Sequence, residues 1–235
     1  MGEISDGFIE AVTLIVTLNP EILEIAARSL YVSIAATLVA ALIAIPLGAL
    51  IYYYDFRGKR AVINIVQTLY ALPTVIVGLL VYLLVSYSGP LGFLNLLYTT
   101  NAMIIAQVIL VSPLIVGFTV TGLSGLDKEM KYTTMALNAR AYRGILTLIR
   151  EAKFAILSAV VLAFGRAIAE VGAVMMVGGN IRHFTRTLTT AITLNTSMGD
   201  FAMSIALGII LLTIALIVNF CVNILQHYNG RVKDE

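Results

Sequence analysis

The chain has 235 residues, 60% of them hydrophobic and 12% charged, where a soluble domain carries about 45 to 50% apolar and about 25% charged residues. With a mean hydropathy of +0.96, this excludes a soluble globule and requires lipid around the chain. A formal net charge of +2 scattered among apolar runs argues against nucleic-acid binding, and a single cysteine, Cys221, excludes an internal disulfide framework or a cysteine-rich metal site.

A helix crossing the roughly 30 Å hydrocarbon layer needs about 20 mainly apolar residues. The run Phe8–Leu18 contains Glu10, ends at Asn19-Pro20 and is too short to span. It lacks the basic start of a signal peptide, so an amphipathic helix on the membrane surface is expected within an external segment 1–29. Five longer stretches are predicted to cross: about Leu30–Tyr54, Ala61–Tyr87, Ala102–Leu123, Ile156–Val177 and Phe201–Leu225. Together they define a membrane domain, 30–225, followed by a short tail, 226–235. The fold class expected is an all-α membrane protein of five transmembrane helices.

Positively charged loops stay in the cytoplasm. With the N-terminus outside, 11 of the 15 Lys and Arg residues fall inside, only Arg28, Arg182 and Arg186 fall outside, and Arg166 lies within a span. The expected orientation is therefore N-terminus outside and C-terminus cytoplasmic, in the inner (cytoplasmic) membrane.

The longest polar segment, Ser124–Ala155, separates spans three and four on the cytoplasmic side. Its residues Met130, Thr134, Leu137, Ala141, Ile145, Leu148 and Ile149 recur at three- and four-residue steps, the pattern of an amphipathic helix. Asn138 interrupts the run, and asparagine tolerates the left-handed conformation of a helix end. Two short helices meeting near Asn138 are predicted, forming an elbow whose apolar face has no span to pack on and whose purpose is contact with a partner.

At this elbow the sequence resembles the membrane permease subunit of an ATP-binding-cassette (ABC) importer. That family's cytoplasmic motif, E-A-A-x3-G-x9-I-x-L-P, aligns with Tyr132, Thr133 and Thr134 for the triplet, Asn138 for the glycine, Leu148 for the isoleucine and Arg150-Glu151 for the final pair. Spacing and location are kept, while the glutamate, glycine and proline are replaced. Pro46 with the basic turn Asp55–Arg60, Leu72-Pro73, and Ser112-Pro113 are similar to the first helix, turn and helix-bending prolines of molybdate-type permeases. The string Phe164–Ile181 with Thr185–Ile192 is most similar to the tungstate-uptake branch of that tungstate/molybdate family. The resemblance covers about residues 21–225. It implies a homodimer with two ATP-binding-cassette ATPase subunits, an extracytoplasmic oxyanion-binding protein, and translocation of tungstate, or alternatively molybdate, by alternating access. It also implies a molybdate-permease-like fold with no cofactor, and an ATPase-coupling surface around Tyr132, Thr133, Thr134, Ala136, Asn138, Ala139, Arg140, Leu148, Arg150 and Glu151.

Arg166 and Glu170 lie four residues apart within span four, the spacing of an ion pair on one helical face. Each charge in the layer costs about 2.5 to 3.5 kcal/mol on insertion scales, so the two either line the translocation path or gate, or lock span four to a neighbour. Gly165, Gly172, Gly178 and Gly179, with Met175 and Met176 between them, suit either a gate or close helix packing. Arg182, His183 and Arg186 form a basic cluster that could draw an anion or grip a docked binding protein. Pro46, Pro73 and Pro113 each remove a backbone hydrogen bond inside a span.

Neither H-E-x-x-H nor G-x-x-x-x-G-K-[ST] occurs, so the chain is not expected to bind zinc or hydrolyse ATP itself. Gly122-Leu123-Ser124-Gly125 matches a short intramembrane-protease string, yet such a serine needs a histidine base within hydrogen-bond reach inside the bilayer, and His183 is expected on the opposite side while His227 follows the last span. An autonomous secondary transporter or channel would need coupling carboxylates in its spans and two repeats. Glu170 is the only acidic residue deep in a span and has a cationic neighbour. A membrane scaffold would leave the elbow without a role.

Overall fold

The computed structural model describes residues 2–137 and 141–231. The described residues are helical throughout their regular structure. The helices are α1 (Gly2–Val16), α2 (Pro20–Tyr53), α3 (Lys59–Thr68), α4 (Thr74–Val85), α5 (Thr100–Ser124), α6 (Lys128–Leu137), α7 (Ala141–Glu151), α8 (Lys153–Ile168), α9 (Gly172–Gly178), α10 (Leu188–Met198) and α11 (Phe201–Arg231).

Three helices, α2, α5 and α11, are each long and apolar enough to cross a membrane alone. The second and fourth expected spans are not single rods. A short 3-10 turn, Leu69–Ala71, leads into Leu72-Pro73, where α3 and α4 diverge by 95°; α8 and α9 diverge by 60° across residues 169–171. Each bent pair passes the length and hydropathy test only as a unit. Proline supplies one reason: Pro73 cannot donate to the preceding turn, and it sits at the N-cap of α4. Pro46 and Pro113, by contrast, stay inside continuous helices.

The first span begins ten residues earlier than the expected Leu30. Asn19 caps α2, its side-chain oxygen accepting from the Glu21 and Ile22 amides at 3.0 and 3.4 Å, with Pro20 in the first turn. At 1.5 Å per residue this helix is about 50 Å long, more than the hydrocarbon layer needs. Helix α1 packs through Ala11, Leu14 and Ile15 against α11, while Phe8, Ile9, Val12 and Val16 are exposed. Glu10, Thr13 and Thr17 are exposed beside them, so the side turned away from α11 mixes apolar and polar groups. Helix α10, within what reads in the sequence as a connecting loop, opens with a capping box between Thr187 and Thr190.

Helices α2 and α5 form the central pair, with α8 alongside them. A Cβ on Gly48 would lie 2.8 Å from both the Thr119 Cβ and the Val116 carbonyl oxygen, so the two backbones meet there. Ala40, Ala44, Val111, Ile115, Ala163 and Ala167 fill this contact. Thr37, Ser112, Thr121, Ser124 and Ser158 turn their hydroxyls back onto carbonyls of the preceding turn, which satisfies them without water. Leu38, Leu42, Leu79, Leu80, Leu212, Leu216 and Phe220 face outward, as a lipid-bathed surface requires.

Candidate functional site

Helix α8 ends at Ile168 because residues 169–171 leave the helical ladder, and in an apolar layer the freed backbone groups must find partners. Four contacts gather at the break, and three of them satisfy backbone groups. Glu170 accepts from the Arg166 guanidinium at 2.7 Å and, through its other carboxylate oxygen, from the Ala173 amide in the first turn of α9 at 3.1 Å. The Thr189 hydroxyl donates to the Glu170 carbonyl at 2.7 Å, and the Gln107 amide of α5 donates to the Ala167 carbonyl at 2.9 Å. The pair expected on one continuous face therefore bridges a break: Arg166 is in the last turn of α8 and Glu170 lies beyond its end. The two differ in surroundings. The Glu170 side chain is 3% exposed, that of Arg166 40%. Arg166 lies about 20 Å along α8 from Lys153, at a depth where a half-open guanidinium cannot face acyl chains without compensation.

Helix α9 is held against α4 by two glycines. A Cβ on Gly78 would lie 2.8 Å from the Ala173 Cα, and one on Gly172 would lie 2.9 Å from both the Thr74 hydroxyl and a Val75 methyl. Met176 covers Gly78, and Met175 is half-buried beside it. At the far end Gly178 abuts Met103, and Gly179, at φ +69°, closes the helix against the Tyr98 ring. The Tyr98 amide donates to the Val177 carbonyl at 2.9 Å. Gly165 instead faces Val218 of α11. Replacing Gly78 by Val forces α4 and α9 apart, and the expected cost is about 1 to 3 kcal/mol of stability, read as an earlier thermal unfolding midpoint of the purified protein in detergent.

The basic cluster is engaged within the chain. Arg182 holds Glu21 through two nitrogens at 2.9 and 2.8 Å, His183 Nδ1 lies 2.7 Å from Glu24, and Arg186 approaches Glu21 at 3.7 Å. Arg28 adds bonds to Glu24 and to the Arg186 and His183 carbonyls. The segment is thereby strapped to the start of α2. Arg182 and His183 remain more than half exposed, so their outer edges are accessible.

At the other end of α2 the elbow consists of α6 and α7. Its apolar face is covered, which corrects the expectation of a face with no span to pack on. Leu148 is 1% exposed and packs with Tyr52, Tyr53, Leu123 and Ile156, with Met130, Ala141, Ile145 and Ile149 around them. Gly144 lets α7 approach Tyr53, whose ring would lie 3.2 Å from a Cβ there. Thr134 points inward, bonding the Met130 and Lys131 carbonyls. Tyr132, Thr133 and Ala136 of α6, with Tyr142 and Leu146 of α7, are exposed, as are Arg150 and Glu151 at the end of α7. Asn138, Ala139 and Arg140 lie outside the described residues.

Beneath the elbow Asp55 accepts from Lys131 at 2.8 Å and from Lys59 at 2.9 Å. These two ammonium groups, Lys131 first, pull its carboxyl down to about 2. The pair therefore persists throughout the neutral range and is lost only as pH falls toward about 2.

Sequence reading missed Gln107, Thr189 and the Asp55–Lys131 pair. Gln107 carried a signal, being the only amide within the apolar stretch Ala102–Leu123. Thr189 had none beyond its place in a threonine-rich string, and Asp55 and Lys131 are 76 residues apart. No cluster of three His, Cys, Asp or Glu side chains fit to hold a metal ion occurs among the described residues.

An apolar helix bundle with bent helix pairs, a charged pair at one break, and a structured elbow beyond the apolar helices has the form of an integral membrane permease subunit. The chain belongs to the family described as binding-protein-dependent transport system inner membrane component, whose pattern matches residues 21–231. It is 44% identical over 226 residues to a tungstate uptake system permease protein TupB of Peptoclostridium acidaminophilum, covering 96% of this chain and 99% of that protein. A TupB of Campylobacter jejuni is 39% identical, covering 95% and 92%. A probable anion ABC transporter permease protein of Haloferax volcanii is 41% identical, covering 84% and 88%. Among solved structures, a chain of the MetNI methionine ABC transporter in inward-facing conformations shares the fold at a TM-score of 0.56 and 17% identity, over 88% of this chain and 94% of that one.

Proposed function

We propose that this chain is the permease of an ATP-driven tungstate importer, two copies of which enclose the translocation path. The observation that carries the substrate is the 44% identity to the Peptoclostridium protein along nearly the whole of both chains. Molybdate is the alternative, since molybdate/tungstate permeases of Pyrococcus furiosus and Thermococcus kodakarensis are 28% identical over 68% of the chain.

The half-exposed Arg166 guanidinium supports a path along the open side of the α8–α9 break. A cation there lowers the cost of carrying a dianion through the layer, while Glu170 offsets its charge so that the anion is released. Gly172, Gly178 and Gly179, with Met175 and Met176, form the close-packed crossing that moves as a gate. Two ATPase subunits dock on the elbow around Tyr132, Thr133 and Ala136, with Asn138, Ala139 and Arg140, and the Arg150-Glu151 end. A loaded binding protein meets the opposite end near Arg182, His183 and Arg186. ATP binding draws the ATPases together, the elbows follow, and the helices exchange inward-open for outward-open states.

Vesicles containing the permease, its ATPase and its binding protein are expected to accumulate tungstate only with ATP. Preference for molybdate in the same assay moves the substrate to the alternative, and uptake without any ATPase overturns the proposal.

The orientation follows from the 11 to 3 distribution of cations. In a Cys221→Ser background, Ser5→Cys is expected to react with an impermeant thiol reagent from outside and Lys233→Cys is not. Labelling of both from one side means an even number of crossings and removes the reading in which each bent pair is one span.

A further inference from the structure

A motion of the elbow has to reach the broken helices, and the connection is concentrated at one carboxylate. Asp55 sits in the turn between α2 and α3, its side chain 68% exposed and acting as a bridge. One carboxylate oxygen holds Lys131, whose own side chain is only 10% exposed; the other holds Lys59, the first residue of α3. Lys59 also donates to the Tyr52 and Tyr54 carbonyls, at 2.9 and 3.1 Å, at the C-terminal end of α2. Both ammonium groups lie over the Tyr52 ring, Lys131 at 5.4 Å and Lys59 at 5.8 Å. Lys131 is one residue before Tyr132 and two before Thr133, on the helix whose outer side is exposed. From Lys59, α3 runs to the 95° break, and α4 beyond it touches α9 at Gly78. Two cations on separate elements thus share one anion, and that anion belongs to neither helix.

Resting on the assignment of the elbow as the ATPase-docking surface, we propose that Asp55 is the positioning residue that couples this surface to the broken second span, by tying Lys131 of the elbow to Lys59 at the head of α3. Apolar packing around Leu148 keeps the elbow attached to the bundle, but it can slide. A doubly bridged carboxylate fixes direction and register. Removal of the bridge therefore leaves an elbow that still binds the ATPase and no longer carries α3 with it.

The test uses the complete complex in vesicles, with tungstate as transported ion. Asp55→Asn keeps the side-chain shape and removes the charge. Its expected behaviour is ATPase retention on purification and continued ATP hydrolysis, with stimulation by the loaded binding protein and tungstate uptake both reduced about tenfold, within the range of measured coupling between sites. Lys131→Met is expected to behave alike, and Asp55→Glu to restore most of the coupling. Wild-type coupling in Asp55→Asn overturns the proposal, as does equal loss in Asp55→Asn and Asp55→Glu, or an unfolded Asp55→Asn with a fully coupled Lys131→Met. Failure of the docking assignment is visible separately. If Ala136→Trp keeps the ATPase bound and coupled, the docking surface is misplaced. If Ala136→Trp releases the ATPase while Asp55→Asn stays coupled, the bridge alone is wrong.

Discussion

Ala136→Trp is expected to leave the membrane domain folded and dimeric while releasing the ATPase subunits on purification, or leaving them to hydrolyse ATP without response to the loaded binding protein. Ala136 is exposed on α6 beside Thr133 and Tyr132, and the elbow's anchoring contacts are on the other side, at Leu148, Met130 and Thr134. An indole on the outer side therefore disturbs a docked partner and spares the core. Insertion of bulk into a well-packed contact costs about 1 to 3 kcal/mol, roughly a five- to 150-fold loss of affinity. Thr133→Trp, one turn earlier on the same exposed side, is the companion variant. If both retain the ATPase and remain coupled, the ATPase does not bind this surface. Leu148→Ala supplies the contrast: its side chain is in the core, so the expected effect is loss of folded protein, by about 2 to 5 kcal/mol, with no selective effect on ATPase binding.

Neutralising either member of the Arg166–Glu170 pair is expected to lower the yield of folded dimer. Glu170→Gln leaves the guanidinium, 40% exposed, without its carboxylate, a smaller loss than that of a fully buried charge. Arg166→Met leaves a 3% exposed carboxylate with only the Ala173 amide. For the buried Glu170 carboxylate left by Arg166→Met the expected cost, by analogy with soluble interiors, is about 3 to 5 kcal/mol. The double variant Arg166→Met with Glu170→Gln removes both charges and is expected to recover much of the folded dimer. Tungstate uptake is a different readout, and it is expected to stay low in the double variant because the cation on the open side of the break is gone. Recovery of transport together with folding makes the pair purely structural. Single variants that fold at wild-type yield exclude the role of Glu170 in holding the break. The amount of monodisperse dimer in size-exclusion chromatography and uptake in vesicles separate these outcomes.

The prolines illustrate how far local sequence reaches. Pro46, Pro73 and Pro113 look alike in the sequence, each interrupting an apolar run, yet only Pro73 stands at a break. Around Pro46 and Pro113 the long helices α2 and α5 lie against one another, backbone to backbone at Gly48, and this contact supports each as a continuous rod. Pro73 follows the short 3-10 turn and opens α4, which is drawn aside onto α9 through Gly78 and Gly172. Residues 169–171 break with no proline at all. There the carbonyls of Ala167 and Glu170 find donors on Gln107 and Thr189, from two other elements, and the break is stable because those donors are present.

What the sequence by itself determined was what composition and short-range period can carry. Lipid as solvent, the five apolar stretches, the elbow between the third and fourth of them and its two-helix pattern are properties of single segments, set by transfer free energy and helical periodicity. The tertiary structure decided which groups meet. It bent the second and fourth stretches, turned the elbow's apolar side onto Tyr52, Tyr53 and Leu123, strapped Arg182, His183 and Arg186 to Glu21 and Glu24, and set Lys131 on Asp55. A helix that is apolar on all sides presents no stripe to say which side faces a neighbour. Its partners, and the backbone groups they satisfy at a break, are therefore selected only when the helices pack together.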